Sequence, residues 1–180
     1  TITSGEATTQ GTDVELATAG GDIAVTAGTT ITVEAGCAAT SNGGDITYTG
    51  EDDVIVGNVN ASGADASATG SIVITSITGN VTVNDGDDDG IAVVTNGSGT
   101  VEIDAEIGVQ VNANIESATG NISVTADAAL VQGADVELAT AGGDIAVTAG
   151  TTITVDAGGA ATSNGGDITY PGETDVIRSE

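Results

Sequence analysis

The sequence lacks most of the side chains on which enzymes depend. Its 180 residues contain no histidine, one basic residue (Arg178) and one cysteine. Without histidine and lysine, a hydrolytic triad, a Schiff base or a histidine-liganded metal cannot be built. Carboxylate pairs of the kind used in glycoside hydrolysis remain, but basic groups and aromatic platforms beside them are missing. We therefore expect no enzymatic activity.

The charge balance excludes further classes of partner. Arg178 stands against 27 acidic residues, which gives a formal net charge of −26. Nucleic-acid binding is excluded because phosphate contacts need lysine or arginine. An anionic membrane would repel the chain, and no apolar run approaches about 18 residues, so we expect no membrane insertion. Self-repulsion of this size is relieved by salt or cations, which favours saline or calcium-containing, extracellular surroundings.

Large apolar side chains are also scarce. Phe, Trp and Met are absent, and Tyr48 and Tyr170 are the only aromatic residues, although 39 % of the chain is hydrophobic. A conventional core relies on aromatic residues that bury about 150–250 Å² each, whereas Val, Ile, Ala and Thr suit a narrow interior. The 28 glycines are expected at corners that need positive φ. High charge and glycine content also favour disorder, but regular β-branched alternation argues against it.

Cysteine and proline each occur once. Cys37 has no intramolecular partner, so it either pairs between chains or is a small residue tolerated at a corner. Pro171 stands where the first copy of the repeat has Thr49, and we expect it to end a strand or weaken an edge. No charged segment followed by an apolar one is present, so a secretion signal would be removed or lie upstream.

A long internal repeat organises the chain. Residues 13–55 return as residues 135–177 at an offset of 122 residues, and the first 36 positions of the two copies differ at only two sites. Repeats of this kind are typical of solenoids and arrays. No proline-rich or serine-rich linker interrupts the chain. We therefore interpret residues 1–180 as one domain, either part of a longer tandem array or a subunit with an internal duplication.

A five-residue signature recurs within that repeat: glycine, a polar residue, an aliphatic residue, any residue and a β-branched or aromatic residue. Its spacings are 23, 26, 29, 21, 23 and 23 residues. Alternation rich in Val, Ile and Thr and bounded by Gly, Asn and Asp is the signal of a strand, and no helical period is present. The signatures are GDIAV (21–25), GDITY (44–48), GSIVI (70–74), GTVEI (99–103), GNISV (120–124), GDIAV (143–147) and GDITY (166–170).

These spacings predict an all-β fold, a parallel β-helix (β-solenoid) of about seven to eight rungs of 20–26 residues, where a rung is one turn of the solenoid. A single rung cannot bury its apolar face, but stacked rungs place Ile on Ile in a continuous core. The alternative is an antiparallel β-sandwich. A sandwich has no reason to repeat one signature at nearly constant spacing, so we favour the solenoid.

The sequence offers two candidate metal sites, both acidic. Asp85, Asp87 and Asp89 alternate in the run D-G-D-D-D-G, and oxygen ligands at alternate positions can converge on Ca²⁺. The twelfth position of this loop is Asn96 rather than the bidentate glutamate of EF-hand loops. The alternative is a solvated acidic turn.

The second candidate is the position after each signature glycine, which would stack into a column about 4.8 Å apart. Neighbouring carboxylates at that distance repel, so the pairs either hold a proton between them or share a cation. The alternative is that each aspartate bonds a backbone N–H of its turn. The aspartates at this position are Asp22, Asp45, Asp144 and Asp167.

Thr-x-Thr pairs raise a minor alternative, ice binding. Flat arrays of such pairs on a solenoid face suit that function, and residues 30–32 and 152–154 both read Thr-Ile-Thr. Most other rungs lack the pair at this position. We expect no extended array.

The pattern G-D-I-x-V-T-A-G-x-x-I-T-V, read at residues 21–33 and 143–155, resembles the repeats of filamentous-haemagglutinin-like adhesins and related exported β-helices of bacteria. The resemblance covers nearly the whole chain and implies an exported, rigid, right-handed parallel β-helix that serves as a stalk or filament. The chain differs from that family in its extreme acidity.

Two functional hypotheses follow. An open solenoid ends in unpaired strand edges that template further pairing, and head-to-tail contacts propagate when the rotation does not close. We therefore expect an extracellular or cell-surface structural protein, a stalk or filament subunit that partners itself end to end and is stiffened by Ca²⁺. The alternative is a calcium-dependent adhesin that binds a glycan or a cell-surface receptor.

Overall fold

A computed structural model shows the chain as a stack of parallel strands. The structure describes residues 1–65, 68–86, 89–171 and 176–178. These residues form 23 strands and no helix, and the described part therefore contains no helix long and apolar enough to span a membrane.

The strands are short, with two to five residues each. In the first half of the chain they are β1 (Ile2–Ser4), β2 (Thr8–Gln10), β3 (Glu15–Ala17), β4 (Ile23–Ala27), β5 (Ile31–Val33), β6 (Ala38–Thr40), β7 (Ile46–Gly50), β8 (Val54–Val56), β9 (Asn58–Asn60), β10 (Ile72–Ser76), β11 (Val81–Val83) and β12 (Ile91–Val94). In the second half they are β13 (Val101–Ala105), β14 (Val109–Val111), β15 (Asn114–Ser117), β16 (Ile122–Ala126), β17 (Ala129–Gln132), β18 (Glu137–Thr140), β19 (Ile145–Ala149), β20 (Thr152–Val155), β21 (Ala160–Ser163), β22 (Ile168–Thr169) and β23 (Val176–Arg178).

Each strand pairs in parallel with the strand three further along the chain. Sheet A runs from β1 and β4 to β19 and β22, sheet B from β2 and β5 to β20 and β23, and sheet C from β3 and β6 to β18 and β21. Sheets A and B have eight described strands and sheet C has seven. Every rung thus contributes one strand to each sheet. The fold is a parallel β-solenoid of about seven rungs, which confirms the predicted class and rejects the antiparallel sandwich.

Equivalent residues of successive rungs stack into columns along the solenoid. In sheet A, Ile122 pairs with Ile145 and Ile145 with Ile168. Alternate residues point inward, so Ile122 and Ile145 are fully buried. The enclosed space, called the bore below, is filled with Ile, Val, Leu and Ala. The predicted stacking of like aliphatic residues is confirmed.

The signature glycines do not have positive φ, so the prediction that glycines mark corners of positive φ was wrong for them. They are needed instead because successive rungs approach each other closely at these positions. Positive φ occurs at six other described glycines, including Gly20 and Gly43. A Cβ atom on Gly120 would lie 1.9 Å from the carbonyl oxygen of Gly99, and one on Gly143 would lie 2.1 Å from that of Gly120. Each signature glycine after Gly21 therefore lies against the backbone of the signature glycine in the rung below it.

Sheet C includes a strand that the sequence did not predict. The small polar residues 58–69 predict a corner insertion rather than a strand, but β9 occupies the first three of them and pairs with β6 and β12. The inward residue of β9, Val59, is fully buried. A strand this short, with one apolar residue between two asparagines, has too little alternation to be recognised alone.

Both ends of the solenoid expose residues that face the bore. Ile2 and Ile168 in sheet A and Val176 in sheet B are 40 %, 42 % and 41 % exposed. Their column neighbours Val25 and Ile153 are buried. β22 ends at Thr169, two residues before Pro171, as expected of that proline. The first and last described rungs therefore expose apolar side chains in columns that the rungs between them bury.

Candidate functional site

The aspartates that follow the signature glycines form a hydrogen-bonded column. The Oδ1 atom of Asp22 accepts the backbone N–H of Asp45 at 3.0 Å, and the Oδ1 atom of Asp45 accepts that of Ser71 at 2.9 Å. In the second copy, the Oδ1 atom of Asp144 accepts the N–H of Asp167 at 2.9 Å. The stacking position was predicted correctly.

The bonding differs in one respect from the turn capping considered above. Each side chain accepts an amide of the next rung, not of its own turn, so the column connects rungs. Asn121 performs the same task for the N–H of Asp144 at 2.9 Å, and the Ser71 hydroxyl accepts that of Thr100 at 3.1 Å. A neutral acceptor therefore suffices, and one oxygen each of Asp22, Asp45 and Asp144 is committed to the backbone.

Removing one acceptor from this column should weaken the stack measurably. In Asp45→Ala, the exposed N–H of Ser71 loses its partner, and we expect a loss of about 1 kcal/mol in the free energy of unfolding. Asp45→Asn should stay within about 0.5 kcal/mol of the parent, because it reproduces the arrangement at Asn121. Urea denaturation of both variants checks this; equal losses would show that the charge matters rather than the hydrogen bond.

In the acidic loop, the D-G-D-D-D-G run at residues 85–90, the described carboxylates also accept hydrogen bonds from backbone amides. The Oδ2 atom of Asp85 accepts the N–H of Gly90, and the Oδ1 atom of Asp89 accepts that of Ile91, both at 2.8 Å. Asp87 lies outside the described residues. Within the described ranges, no group of three or more His, Cys, Asp or Glu side chains lies together as a metal site would require.

A hydroxyl column beside the signature glycines was not recognised from the sequence. The hydroxyls of Ser117 and Ser163 donate to the carbonyls of Gly99 and Gly143, each at 2.9 Å. The Gly166 N–H in turn donates to Ser163 Oγ at 2.8 Å. The available signal was a Ser or Thr three or four residues before most signature glycines. These hydroxyls satisfy backbone groups at a corner where the chain must turn without a side chain.

Two glutamines inside the bore each form hydrogen bonds with three polar groups. Gln132 donates to the carbonyls of Val136 and Ala160 at 2.8 and 2.7 Å and accepts the Tyr170 hydroxyl at 3.3 Å. Gln10 repeats this arrangement one period earlier with Tyr48 at 3.4 Å. Both tyrosines therefore belong to the interior. In the sequence, this interior role is indicated by the 122-residue offset that the two tyrosines share, because neither residue fits the aliphatic pattern.

Burial of the tyrosines makes the stability of the fold depend on pH. Desolvation in the bore, with a smaller contribution from nearby Cys37, raises the pKa of Tyr48 well above its ordinary value. Burial also raises the pKa of Tyr170, and Arg178 partly offsets this. The folded chain thus keeps protons that the unfolded chain loses above about pH 10. Stability is fully present below that pH and falls as the pH rises further.

We expect the free energy of unfolding to fall by about 1.4 kcal/mol per pH unit above pH 10 for each tyrosine that stays protonated in the fold. The chain has no lysine, so few other groups titrate there. Urea denaturation between pH 9 and 11.5 measures the slope, in a Cys37→Ala background that removes the thiol. Tyr48→Phe should flatten it, and an unchanged slope in that variant would contradict the assignment.

Cys37 lies at the corner between β5 and β6 and is 1 % exposed. Its thiol contacts the carbonyl oxygens of Gln10 and Gly11 at 3.3 and 2.8 Å. It is free. The equivalent of Cys37 in the second copy is Gly159, so a small residue is what this corner requires.

No protein-family model, curated protein or solved structure matches the chain. The resemblance to haemagglutinin-like repeats therefore has no support beyond the β-solenoid fold itself.

The outer face of sheet A carries a column of threonines. It consists of Thr3, Thr26, Thr49, Thr75, Thr125 and Thr148, with Asp104 in the middle. The Thr-Ile-Thr motif at residues 30–32 lies in sheet B instead, and the residue stacked on Thr32 is Ile55. The pairs do not form an extended array, as expected.

The N-terminal mouth is the open end of the bore at the first rung. It is a cavity of about 190 Å³ whose lining includes Ile2, Thr8, Gln10, Leu16 and Tyr48. The Thr8 Oγ1 atom is buried there without a hydrogen-bond partner. In the second copy, Leu130 takes the place of Thr8 and is 1 % exposed. The smaller threonine leaves this end of the bore unfilled.

The C-terminal mouth is the opposite end, formed by β22, β23 and Tyr170. Arg178 pairs with Val155, whose side chain faces the bore and is buried. Arg178 thus occupies an inward position, where the first copy has Val56. Its guanidinium carbon lies 5.8 Å from the centre of the Tyr170 ring, a cation–π distance. The one basic residue of the chain therefore sits at this end.

Proposed function

We propose that the protein is an extracellular structural element, a β-solenoid stalk or filament subunit that stacks end to end. The observation that carries this proposal is the continuity of the three parallel sheets through the described rungs, in which each rung buries its inward side chains against its neighbours. Nothing in this arrangement limits the number of rungs, because an added rung continues all three sheets.

The charge distribution supports an environment-dependent assembly. Carboxylates are spread over the surface and the formal charge is −26, so two copies repel at low ionic strength. Screening shortens that repulsion to about 10 Å at 0.1 M salt. Stacking is therefore expected to strengthen as salt is added, in contrast to association driven by ion pairs.

Negative-stain microscopy with sedimentation velocity tests the proposal on the untagged chain. In 0.15–0.5 M NaCl we expect filaments a few nanometres wide and a sedimentation coefficient that rises with concentration. Ile168→Asp places a charge on one end and should abolish both, whereas Glu102→Asp on an outer face should not. Short discrete rods at every concentration and salt would refute stacking.

We also propose that Ca²⁺ stiffens the stack. The support is the alternation of Asp85, Asp87 and Asp89 and the columns of paired aspartates, each with one carboxylate oxygen not engaged by the backbone amide of the next rung. Calcium titration followed by thermal unfolding tests this. We expect 5 mM Ca²⁺ to raise Tm more than 5 mM Mg²⁺ and more than NaCl of equal ionic strength. Equal shifts would indicate simple screening.

An adhesin is a second candidate, favoured by a groove on the outer face of sheet B. The groove has a volume of about 380 Å³, and its lining includes Ile55, Thr82, Ile107, Gln110 and Val131. Exposed Ile107 beside polar side chains gives the groove a mixed apolar and polar lining, as in ligand sites generally. A glycan array probed with parent and Gln110→Ala chains would separate the candidates, since binding that depends on Gln110 without filaments would favour the adhesin.

A further inference from the structure

We propose that Asn42 is a site of spontaneous covalent modification, at which the folded chain converts an asparagine into aspartate and isoaspartate, and that the fold protects Asn96 from the same reaction. Residues 42–43, 96–97 and 164–165 each read Asn-Gly. All three dipeptides lie at the corner that leads from sheet C to sheet A. Asn42 and Asn96 have described rungs on both sides, so the comparison between them is independent of stacking between copies.

An Asn-Gly dipeptide carries both partners of the reaction. The backbone nitrogen of the glycine loses its proton and forms a bond to Cγ of the asparagine. The bond from Cγ to the amide nitrogen breaks, and ammonia leaves with that proton. Water then opens the cyclic imide at one carbonyl or the other, which gives isoaspartate or aspartate. Glycine favours the attack because it has no Cβ atom beside its nitrogen and its backbone rotates freely.

The side chain of Asn42 is held by a single hydrogen bond. Asn42 is exposed, and its φ of 53° lies in the left-handed region that asparagine tolerates. Its Nδ2 atom donates to the carbonyl of Thr18 at 2.7 Å. Among the described residues, none donates to Asn42 Oδ1 and none accepts the Gly43 N–H. Rotation of Cγ toward the Gly43 nitrogen therefore breaks one hydrogen bond only.

The side chain of Asn96 is held by three hydrogen bonds. Its Oδ1 atom accepts the N–H of Gly63 at 3.0 Å. Its Nδ2 atom donates to the carbonyls of Gly63 and Asp65 at 2.8 and 3.2 Å. Asn96 is also half-buried. Rotation of Cγ toward the Gly97 nitrogen must break all three bonds. Two additional hydrogen bonds correspond to a rate that is roughly tenfold lower.

The reaction at Asn42 would change the corner in two ways. Either product replaces the amide with a carboxylate, so it loses the donor to Thr18 and adds a negative charge to a chain at −26. Isoaspartate also adds a methylene to the main chain two residues before Gly44. A Cβ atom on Gly44 would lie 2.4 Å from the Gly21 carbonyl oxygen, so added length there displaces one rung from the next. Asn42 thus gives the chain an intrinsic ageing reaction.

Peptide mapping of the whole chain tests the assignment, with Asn96 as the matched control in the same molecule. The chain is incubated at pH 8 and 37 °C, folded or in 6 M guanidinium chloride, and then digested. Mass spectrometry measures the rate of conversion at each asparagine and separates aspartate from isoaspartate peptides. In the folded chain we expect Asn42 to react roughly tenfold faster than Asn96. In guanidinium chloride the two rates should become similar, because the hydrogen bonds are lost.

Three results would overturn this inference. Equal rates in the folded chain, or a faster Asn96, would show that these hydrogen bonds do not protect. Reaction of Asn42 in the unfolded chain alone would show that the fold protects this site too. A difference that persists in guanidinium chloride would assign it to the neighbouring sequence. None of these results bears on the proposed stacking, since the measurement needs only a folded chain.

Discussion

Gly143→Ala should destabilise the solenoid by about 3 kcal/mol, while Gly142→Ala should leave it nearly unchanged. A Cβ atom on Gly143 would lie 2.1 Å from the Gly120 carbonyl oxygen and 2.4 Å from its carbon. Both are backbone atoms of the rung below, so nothing flexible can move aside. One rung would have to separate from the next, which lengthens hydrogen bonds in all three sheets.

Gly142 is a matched control in the adjacent position. A Cβ atom there would meet only the Thr119 side chain, at 3.7 Å, which is ordinary van der Waals contact. Alanine should therefore change the free energy of unfolding by less than about 1 kcal/mol, with stabilisation possible only through the unfolded chain. Urea denaturation of the two variants gives the comparison. Similar losses would mean that loss of glycine flexibility, rather than contact between rungs, decides stability.

Ile122→Ala should cost about 3 kcal/mol, in the range for fully buried aliphatic truncations. Ile122 is completely buried between Val101 and Ile145 in the inward column of sheet A. The rigid ladders above and below it cannot collapse into the space that alanine leaves. The vacated volume therefore remains as a cavity in the bore.

Ile168→Ala removes the same atoms from the same column at the exposed end. Ile168 is 42 % exposed, so in the isolated rod we expect a loss below about 1 kcal/mol. Under conditions where copies stack, the cost should rise toward that of Ile122→Ala. Unfolding curves at low and high protein concentration measure both values. A concentration-independent difference between the two variants would contradict burial of Ile168 in the stack.

Sheets A and B could be predicted from the sequence because their strands alternate over three to five residues. In β4 and β5, β-branched or alanine side chains face the bore at every second position, and the glycine signature fixes how rungs align. Sheet C lacks that contrast: β6 reads Ala-Ala-Thr, and its inward residue Ala39 is too small to mark a strand. The existence of sheet C follows only because each rung needs a third strand to close on itself.

The roles of the candidate residues were harder to predict because they depend on contacts between rungs. A sequence places Asp22 and Asp45 in one column, but it does not show whether carboxylate meets carboxylate or amide. In the folded chain, the Oδ1 atom of each of these two residues accepts an N–H of the next rung. Likewise, positions 120 and 143 require glycine because each lies against a glycine 21 or 23 residues earlier in the sequence. A rule based on the local φ angle does not include that distant residue.

The 122-residue repeat corresponds to five rungs, from β4 to β19 in sheet A. Because residues 135–170 repeat residues 13–48 with only two substitutions, adding or removing a block of five rungs would leave most contacts between rungs of the same kind. Each block adds about 24 Å. A rod lengthened or shortened by whole repeats would therefore change in steps of this length, and the number of repeats would set the distance that the rod spans.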